Sequence, residues 1–386
     1  MRFTSARKLK SLITVALGGY ISFSALTYYK NRNAFYRDMV MPLVHLLDPE
    51  RAHNLAVFVS QYRLLPKSNY DDPSSLNVAI FQKEFTNPIG IAAGFDKDAK
   101  AVLGLKDIGF GFVEIGSVTP NPQPGNEKPR VFRLPEDSAV INRYGFNSEG
   151  HDTVLQRIQR IRSSKENVII GVNLGKNKTS DDAVGDYVKG IEKFGPFCDY
   201  LVINISSPNT PGLRSMQNKD VLKALLSSTI AARNNLKMDS KPPLLLKLAP
   251  DLNTEEKKDI AEVLKQTACR VDGLIISNTT IDRPDYLLST NKKETGGLSG
   301  KPLKEKSTEM IKEMKRLTNL PIIGVGGICT GADAYEKIKA GANLVQIYTS
   351  MVYEGPEIVS QMKKDLDKLI TADGFNNITE AVGKSV

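Results

Sequence analysis

A lysine ending an apolar run, four asparagines and two adjacent serines are the residues of this 386-residue chain best suited to shared chemistry. Lys247 lies in LLLKLAP, where a fixed cation at the end of a strand can stabilise a delocalised anion. A strand lysine that only snorkels to solvent is the competing reading. Asn142, Asn204, Asn209 and Asn278 offer donors and acceptors without charge, a set able to read a planar ring of alternating C=O and N–H groups. Ser206 and Ser207 follow Asn204 closely. The glycine segments Gly296–Gly300 and Gly324–Gly327 could bring backbone N–H groups close to a phosphate, although tight turns use glycine for the same backbone freedom.

Those residues need elements to position them, and the chain supplies a repeating set. Short apolar runs occur at Ile89–Ala93, Phe112–Ile115, Val168–Asn173, Tyr200–Ile205, Leu244–Leu248, Gly273–Ser277, Pro321–Val325 and Leu344–Tyr348. Parallel strands buried on both faces read as such continuous runs. Helical patterns fall between them, as at Ser148–Ile161, Asp220–Asn234, Thr254–Thr267, Glu305–Leu317 and Gly331–Ala340. Eight strand–helix units predict an α/β fold of the (β/α)8 TIM-barrel type, with residues 76–386 as the barrel. A doubly wound sheet is the runner-up, but its Gly-x-Gly-x-x-Gly turn after the first strand is not what Ala93-Gly94-Phe95-Asp96 provides. Lys97, Ser117, Asn173, Asn204, Lys247, Ser277, Gly327, Tyr348 and Thr349 all fall at strand C-terminal ends, which converge on one face in a barrel.

Composition removes several other classes. The formal net charge is +9, yet residues 1–37 hold seven basic and no acidic residues, so the remainder is close to neutral. A nucleic-acid groove needs its Lys and Arg on a folded face, so that reading fails. Cys198, Cys269 and Cys329 are too far apart in the sequence to suggest a disulfide framework or a zinc motif, and three histidines make no metal-ligand cluster. A Ser–His–Asp hydrolase reading fails because no histidine falls in a strand-end motif.

The N-terminus reads as an address. Residues 1–10 are basic, acid-free and hydroxyl-containing, as mitochondrial targeting segments are. Residues 11–29 carry no charge and approach the roughly 20 residues that span a bilayer core, predicting a transmembrane helix. A cleaved signal peptide competes, but no small-x-small site followed by a disulfide-bonded domain is seen. Residues 33–66 read as two short amphipathic helices, with Phe35, Met39, Leu43, Leu46 and Leu47 on one apolar face and Ala52, Leu55, Ala56, Val59 and Tyr62 on the other helix. They can pack on the barrel or present apolar surface to lipid.

Six motifs carry a resemblance to a known family. They are NISSPNT (Asn204–Thr210), GVNLGKNKT (Gly171–Thr179), INRYGFN (Ile141–Asn147), ETGGLSG (Glu294–Gly300), AAGFDK (Ala92–Lys97) and GFVEIGSVT (Gly111–Thr119). In their order the chain resembles dihydroorotate dehydrogenase from Phe35 onward, and is most similar to the membrane-bound, quinone-using class. The resemblance implies oxidation of dihydroorotate to orotate in pyrimidine biosynthesis, with FMN as cofactor and ubiquinone as electron acceptor at the mitochondrial inner membrane. Another FMN barrel acting on a different reduced heterocycle is the enzyme alternative, and a tethered scaffold with a degenerate barrel the non-enzyme one. Oligomeric state stays open.

The same resemblance implies the residue roles. Ser207 would be the catalytic base, where the soluble class has Cys; the family, not the spacing, selects it over Ser206. A free serine hydroxyl is a poor base at neutral pH, so a relay through Thr210 or a water is required. Lys97, Asn142, Arg143, Tyr144, Gly145, Phe146, Asn204, Asn209, Asn278 and Thr279 would hold substrate. Ala93, Gly94, Phe95, Asp96, Lys97, Ser117, Asn173, Asn204, Lys247, Ser277, Gly300, Gly327, Tyr348 and Thr349 would hold FMN, with Lys247 stabilising its reduced anion. Ser277 departs from a frequent Thr but keeps the hydroxyl. His53 and Arg133 would meet the quinone between the extension and the barrel, and no metal is expected.

Overall fold

The computed structural model describes residues 5–386; residues 1–4, including Arg2 of the basic N-terminal segment, lie outside the described residues. Eight parallel strands close into a barrel: β1 (Ile89–Ile91), β2 (Phe112–Val118), β3 (Ile170–Leu174), β4 (Tyr200–Asn204), β5 (Leu244–Leu248), β6 (Gly273–Ile276), β7 (Ile322–Val325) and β8 (Leu344–Ile347). Closure is made where Val345 of β8 registers with Ile89 of β1. Nearly every residue in these strands is buried, because side chains fill the barrel interior on one face and meet the helix layer on the other. All eight expected runs are strands; Leu244–Leu248 matches at both ends, Phe112–Ile115 extends on to Val118, and no other end moves by more than two residues.

The helices between them end where local chemistry ends them. Thr254–Lys265 starts with a reciprocal capping box between Asn253 and Glu256, and Gly331–Lys339 with one between Thr330 and Asp333. Val102–Ile108 stops at Gly109, whose φ of 108° is open to glycine without penalty. Helices Val102–Ile108, Ala183–Phe194 and Ile358–Ala372 complete the outer layer.

Two small sheets cover the barrel ends. The hairpin Val78–Ile80/Lys83–Phe85 lies under the N-terminal end, with Phe85 edge-on to Phe112 at the start of β2. Over the C-terminal end runs an antiparallel sheet of Val131–Leu134, Ala139–Asn142 and Gly297–Gly300. Gly296–Gly300, expected as a glycine loop, is therefore mostly an edge strand that ends beside the helix Lys304–Thr318.

The helix Ser5–Lys30 precedes this body, and its stretch Arg7–Lys30 has a mean hydropathy of 1.4 with none of it buried, so it is long and apolar enough to cross a membrane. Two further helical segments follow. The first is not one regular α-helix: Arg32–Phe35 passes into a π turn at Tyr36–Val40 before Met41–Val44. Pro42 has no N–H to continue the α ladder there. The wider turn changes the phase of the helix, so the single face expected from Phe35, Met39, Leu43, Leu46 and Leu47 is not formed. Tyr36, Val40 and Val44 turn toward the barrel instead, while Leu43, Leu46 and Leu47 are exposed. Pro49–Gln61 starts at an Asp48 N-cap and keeps the expected face through Ala52, Leu55, Ala56 and Val59; Tyr62 falls off it and is exposed.

Candidate active site

The C-terminal ends of the strands and the two extension helices enclose one cavity of about 470 Å³. Its floor is built from the asparagine and serine side chains of neighbouring strands. Asn204 Nδ2 donates to Ser117 Oγ at 2.8 Å and to Asn173 Oδ1 at 3.0 Å, and Ser117 Oγ also donates to Asn173 Oδ1. Lys247 enters the same floor, with Nζ 3.5 Å from Glu114 Oε1. It is buried beside an acid, so the snorkelling reading is excluded.

A polar wall stands on one side. Asn209 Nδ2 donates to Asn142 Oδ1 at 3.3 Å, and Asn278 Nδ2 donates to Ser206 Oγ at 3.0 Å and to Asn204 Oδ1 at 3.3 Å. The two serines now separate. Ser206 Oγ donates to Asn204 Oδ1 at 3.1 Å and stays within the wall, whereas Ser207 lines the cavity and, among the described residues, accepts only the Asn209 backbone N–H at 3.3 Å. Thr210 Oγ1, three residues on, is buried with no hydrogen-bond partner among the described residues.

Lys97 lies at the border between barrel and extension. Its Nζ donates to the Gly94 carbonyl at 2.7 Å and sits 4.1 Å from the centre of the Tyr144 ring. Burial pushes this amine down to about 8. His53 reaches it from the extension helix, and burial, then the Lys97 charge, hold the imidazole well below its usual value. Arg133 donates to the His45 carbonyl at 3.0 Å and to the Leu47 carbonyl, tying the end of the first extension segment to the sheet over the barrel.

The far side of the cavity is glycine-lined. Gly327 has a φ of 71°, and a Cβ there would come within 2.4 Å of Lys304 Cα; Gly300 has a φ of 95° and a Cβ would meet the Ser138 carbonyl at 2.3 Å. Glycine is therefore required at both positions. The backbone N–H groups of Gly326, Gly327 and Ile328 have no hydrogen-bond partner among the described residues. Thr349 Oγ1 donates to Ser299 Oγ at 2.9 Å, and Ser350 Oγ is buried without a partner among the described residues.

Most residues expected at the site line this cavity: Ala93, Gly94, Phe95, Lys97, Ser117, Asn142, Tyr144, Gly145, Phe146, Asn204, Ser207, Asn209, Lys247, Ser277, Asn278, Thr279, Gly300, Gly327, Tyr348 and Thr349, with His53 and Arg133 toward the extension. Three do not. The Asp96 carboxylate turns away and accepts the backbone N–H groups of Lys100 and Ala101 at 2.9 and 2.7 Å, so its role is to shape the loop. Arg143 points outward, paired to Glu294 at 2.6 Å and stacked over Phe132. Asn173 lies one layer beneath the surface, behind Ser117 and Asn204. Sequence reasoning passed over Gln346 and Ser350, which do line the cavity, and Glu114 beneath it. A polar residue in the middle of an apolar strand, as in FVEIG and LVQIY, is the signal that could have found Glu114 and Gln346.

Fold and cavity together define a (β/α)8-barrel enzyme with its site at the strand C-terminal ends. Residues 75–370 match the family pattern described as dihydroorotate dehydrogenase. The chain is 52% identical to the mitochondrial dihydroorotate dehydrogenase (quinone) of Mus musculus, over 98% of this chain and 97% of that protein. It is 50% identical to dihydroorotate dehydrogenase (quinone) of Rhodospirillum rubrum, over 90% and 94% of the two chains. The crystal structure of the Eimeria tenella dihydroorotate dehydrogenase in complex with ferulenol superposes with a TM-score of 0.84 at 43% identity, covering 88% of this chain and 96% of that one. This chain belongs to the dihydroorotate dehydrogenase family.

Proposed function

We propose that this protein oxidises dihydroorotate to orotate in pyrimidine biosynthesis, using FMN and passing the electrons to ubiquinone at the mitochondrial inner membrane. The observation that carries this reading is the continuity of one cavity, which is bordered by Ala52, Leu55 and Val59 of the apolar extension and also by Ser207, Asn209 and Lys247 of the polar wall. A greasy acceptor can approach from one end and a polar heterocycle from the other.

The residues present fit FMN. Buried polar atoms without partners surround the cavity, namely Tyr144 OH, Asn147 Oδ1, Gln346 Oε1 and Ser350 Oγ, and such atoms in a folded protein call for a ligand or ordered water. The phosphate would be held at Gly300, Gly327 and Thr349, where the Gly326–Ile328 N–H groups are free to donate. The ring would lie on Ala93, Ser117, Asn204 and Lys247. When bound, FMN would supply the two-electron acceptor between substrate and quinone.

The protein's own groups do the rest. Protonated Lys97 pairs with the substrate carboxylate, while Asn142, Asn209, Asn278 and Thr279 fix the ring by amide and hydroxyl hydrogen bonds. Ser207 takes the proton on the carbon beside the ring carbonyl, and its open Oγ supports that role over Ser206. The proton moves on from Ser207 through a relay in which Thr210 Oγ1, without a hydrogen-bond partner among the described residues, can accept. Lys247 places positive charge where negative charge develops. His53 and Arg133 are the polar groups at the quinone end.

Anaerobic addition of dihydroorotate to the purified yellow protein should bleach it, and a soluble ubiquinone analogue should restore the colour. Recovery with fumarate or NAD but not quinone would overturn the acceptor. Bleaching by another reduced heterocycle alone would overturn the substrate, and a colourless protein would overturn the cofactor.

A further inference from the structure

Glu114 sits in the middle of β2 with no exposed surface, in a barrel interior that is otherwise mostly branched and apolar. Burying a carboxylate is costly unless its lone pairs are filled, and a purely mechanical role in the barrel would be met as well by an apolar side chain. Here four groups converge on it. Asn173 Nδ2 donates to Oε1 at 2.8 Å, with Lys247 Nζ 3.5 Å from the same oxygen. Gln346 Nε2 donates to Oε2 at 2.6 Å and Tyr200 OH at 3.3 Å. All four can act as donors, so the arrangement is built for an ionised acceptor.

Its neighbours are the cavity floor. Lys247 and Gln346 both line the cavity directly, and Asn173 supports Ser117 and Asn204, which do so as well. Gln346 turns its amide N–H to Glu114, and its Oε1 is left without a partner among the described residues at the cavity. Glu114 therefore lies outside the cavity lining, yet it stands one contact behind Lys247, the cation in the floor, and fixes the amide beside it.

We propose that Glu114 is the built-in counter-charge of the flavin site, a positioning residue that sets how much of the Lys247 charge the ring feels and hence the potential at which the protein accepts electrons. The inference rests on the FMN reading above. A negative charge behind Lys247 disfavours the reduced, anionic ring and so favours handing electrons on to quinone. Removing it should make the bound flavin easier to reduce and slower to reoxidise.

The test is the midpoint potential of the FMN-loaded protein, wild type against Glu114→Gln. The expected result is a rise corresponding to at least a tenfold change in the oxidised-to-reduced equilibrium, about 30 mV for a two-electron couple. Stopped-flow half-reactions should show faster reduction by dihydroorotate and slower oxidation by a quinone analogue, a split that a general loss of packing would not produce. An unchanged or lowered potential in a folded, yellow Glu114→Gln protein overturns the proposal. Should that variant not fold, Tyr200→Phe keeps the charge and removes one donor, so its potential should fall; no change or a rise overturns the proposal equally. Wild-type protein purified without FMN would defeat the cofactor reading itself, an outcome distinct from FMN bound with an unmoved potential.

Discussion

Lys97 Nζ lies 3.5 Å from His53 Nε2, so the cation on the barrel loop and the imidazole on the extension helix share one contact across the boundary between the two parts of the protein. An ammonium has only donors, so Nε2 must accept and the neutral ring carries its proton on Nδ1. Nδ1 is 3.2 Å from Tyr348 OH, which in turn can donate to the Gly94 carbonyl at 3.5 Å. The lysine that would hold the substrate carboxylate thus adds to burial in keeping the histidine at the proposed quinone end neutral.

The pH dependence of substrate binding follows from this pair. Burial lowers the Lys97 amine to about 8, so it is cationic below that pH and neutral above it. On the proposed reading, loss of the cation removes the partner of the substrate carboxylate. KM for dihydroorotate should be level below pH 7 and rise about tenfold between pH 7 and 9, as a single titration requires. A profile flat to pH 9 would refute Lys97 as the carboxylate partner. Stability has its own sign: between about 8 and the unfolded value of 10.5 the unfolded chain binds more protons, so the cost of burying Lys97 fades as pH rises through that window.

Ser207 and Ser206 differ in what holds them, and their variants should differ too. Ser207→Ala should slow flavin reduction by dihydroorotate roughly 100- to 10,000-fold, the range for losing a positioned acid–base group, with reoxidation by quinone within about twofold of wild type. Ser206→Ala breaks contacts to Asn204 and Asn278 inside the wall and should cost about 1 kcal/mol of stability. Equal losses in both half-reactions for Ser207→Ala would sink the base assignment.

How far the sequence reaches is visible in particular elements. Strands such as Leu244–Leu248 were legible because a parallel strand buried on both faces must be apolar throughout. Gly297–Gly300 was not, since GLSG lacks β-branched residues and pairs with Ala139–Asn142 far away in the chain. The face of the first extension segment was misread because a π turn changes the phase that straight-helix counting assumes. Asp96 and Arg143 belong to motifs that reach the site, but adjacency in a motif does not say which way a side chain turns. Which serine faces the cavity is equally invisible in two adjacent letters.

Gly327 offers a test of cofactor binding that does not depend on turnover. Its φ of 71° and the 2.4 Å approach of a Cβ to the Lys304 backbone mean that Gly327→Ala must move the loop or the helix behind it. FMN affinity should fall at least tenfold, measured by release of yellow colour on dilution and its recovery with added FMN. Unchanged retention would place the phosphate elsewhere.

Arg133 should matter to only one half-reaction. Its guanidinium holds the His45 and Leu47 carbonyls where the first extension segment ends, and burial lowers its pKa from the usual arginine value. Arg133→Ala should raise KM for a quinone analogue about tenfold through loss of a positioned polar group, while bleaching by dihydroorotate keeps its rate. A slowed bleaching step would show that the extension also shapes the substrate end.

The N-terminal helix should be separable from the chemistry. Among the described residues, the contacts of its C-terminal end with the segment that follows include Tyr28 edge-on to Phe35 at 5.2 Å, Arg32 over the Tyr28 ring, and the Asn31 N–H donating to the Thr27 carbonyl. Deleting residues 1–30 should leave bleaching by dihydroorotate and recovery by a soluble quinone within about twofold, because no group of the cavity is lost. Membrane attachment should weaken without vanishing. Leu43, Leu46, Leu47, Phe58 and Tyr62 remain exposed on the extension, and apolar side chains entering lipid gain roughly 25 cal/mol per Å² removed from water. The full chain should sediment with vesicles even in high salt, while the truncated protein should partition at least tenfold less and release on dilution. Truncated protein that stays bound as firmly as the full chain would show that the extension, and not the long helix, is the anchor.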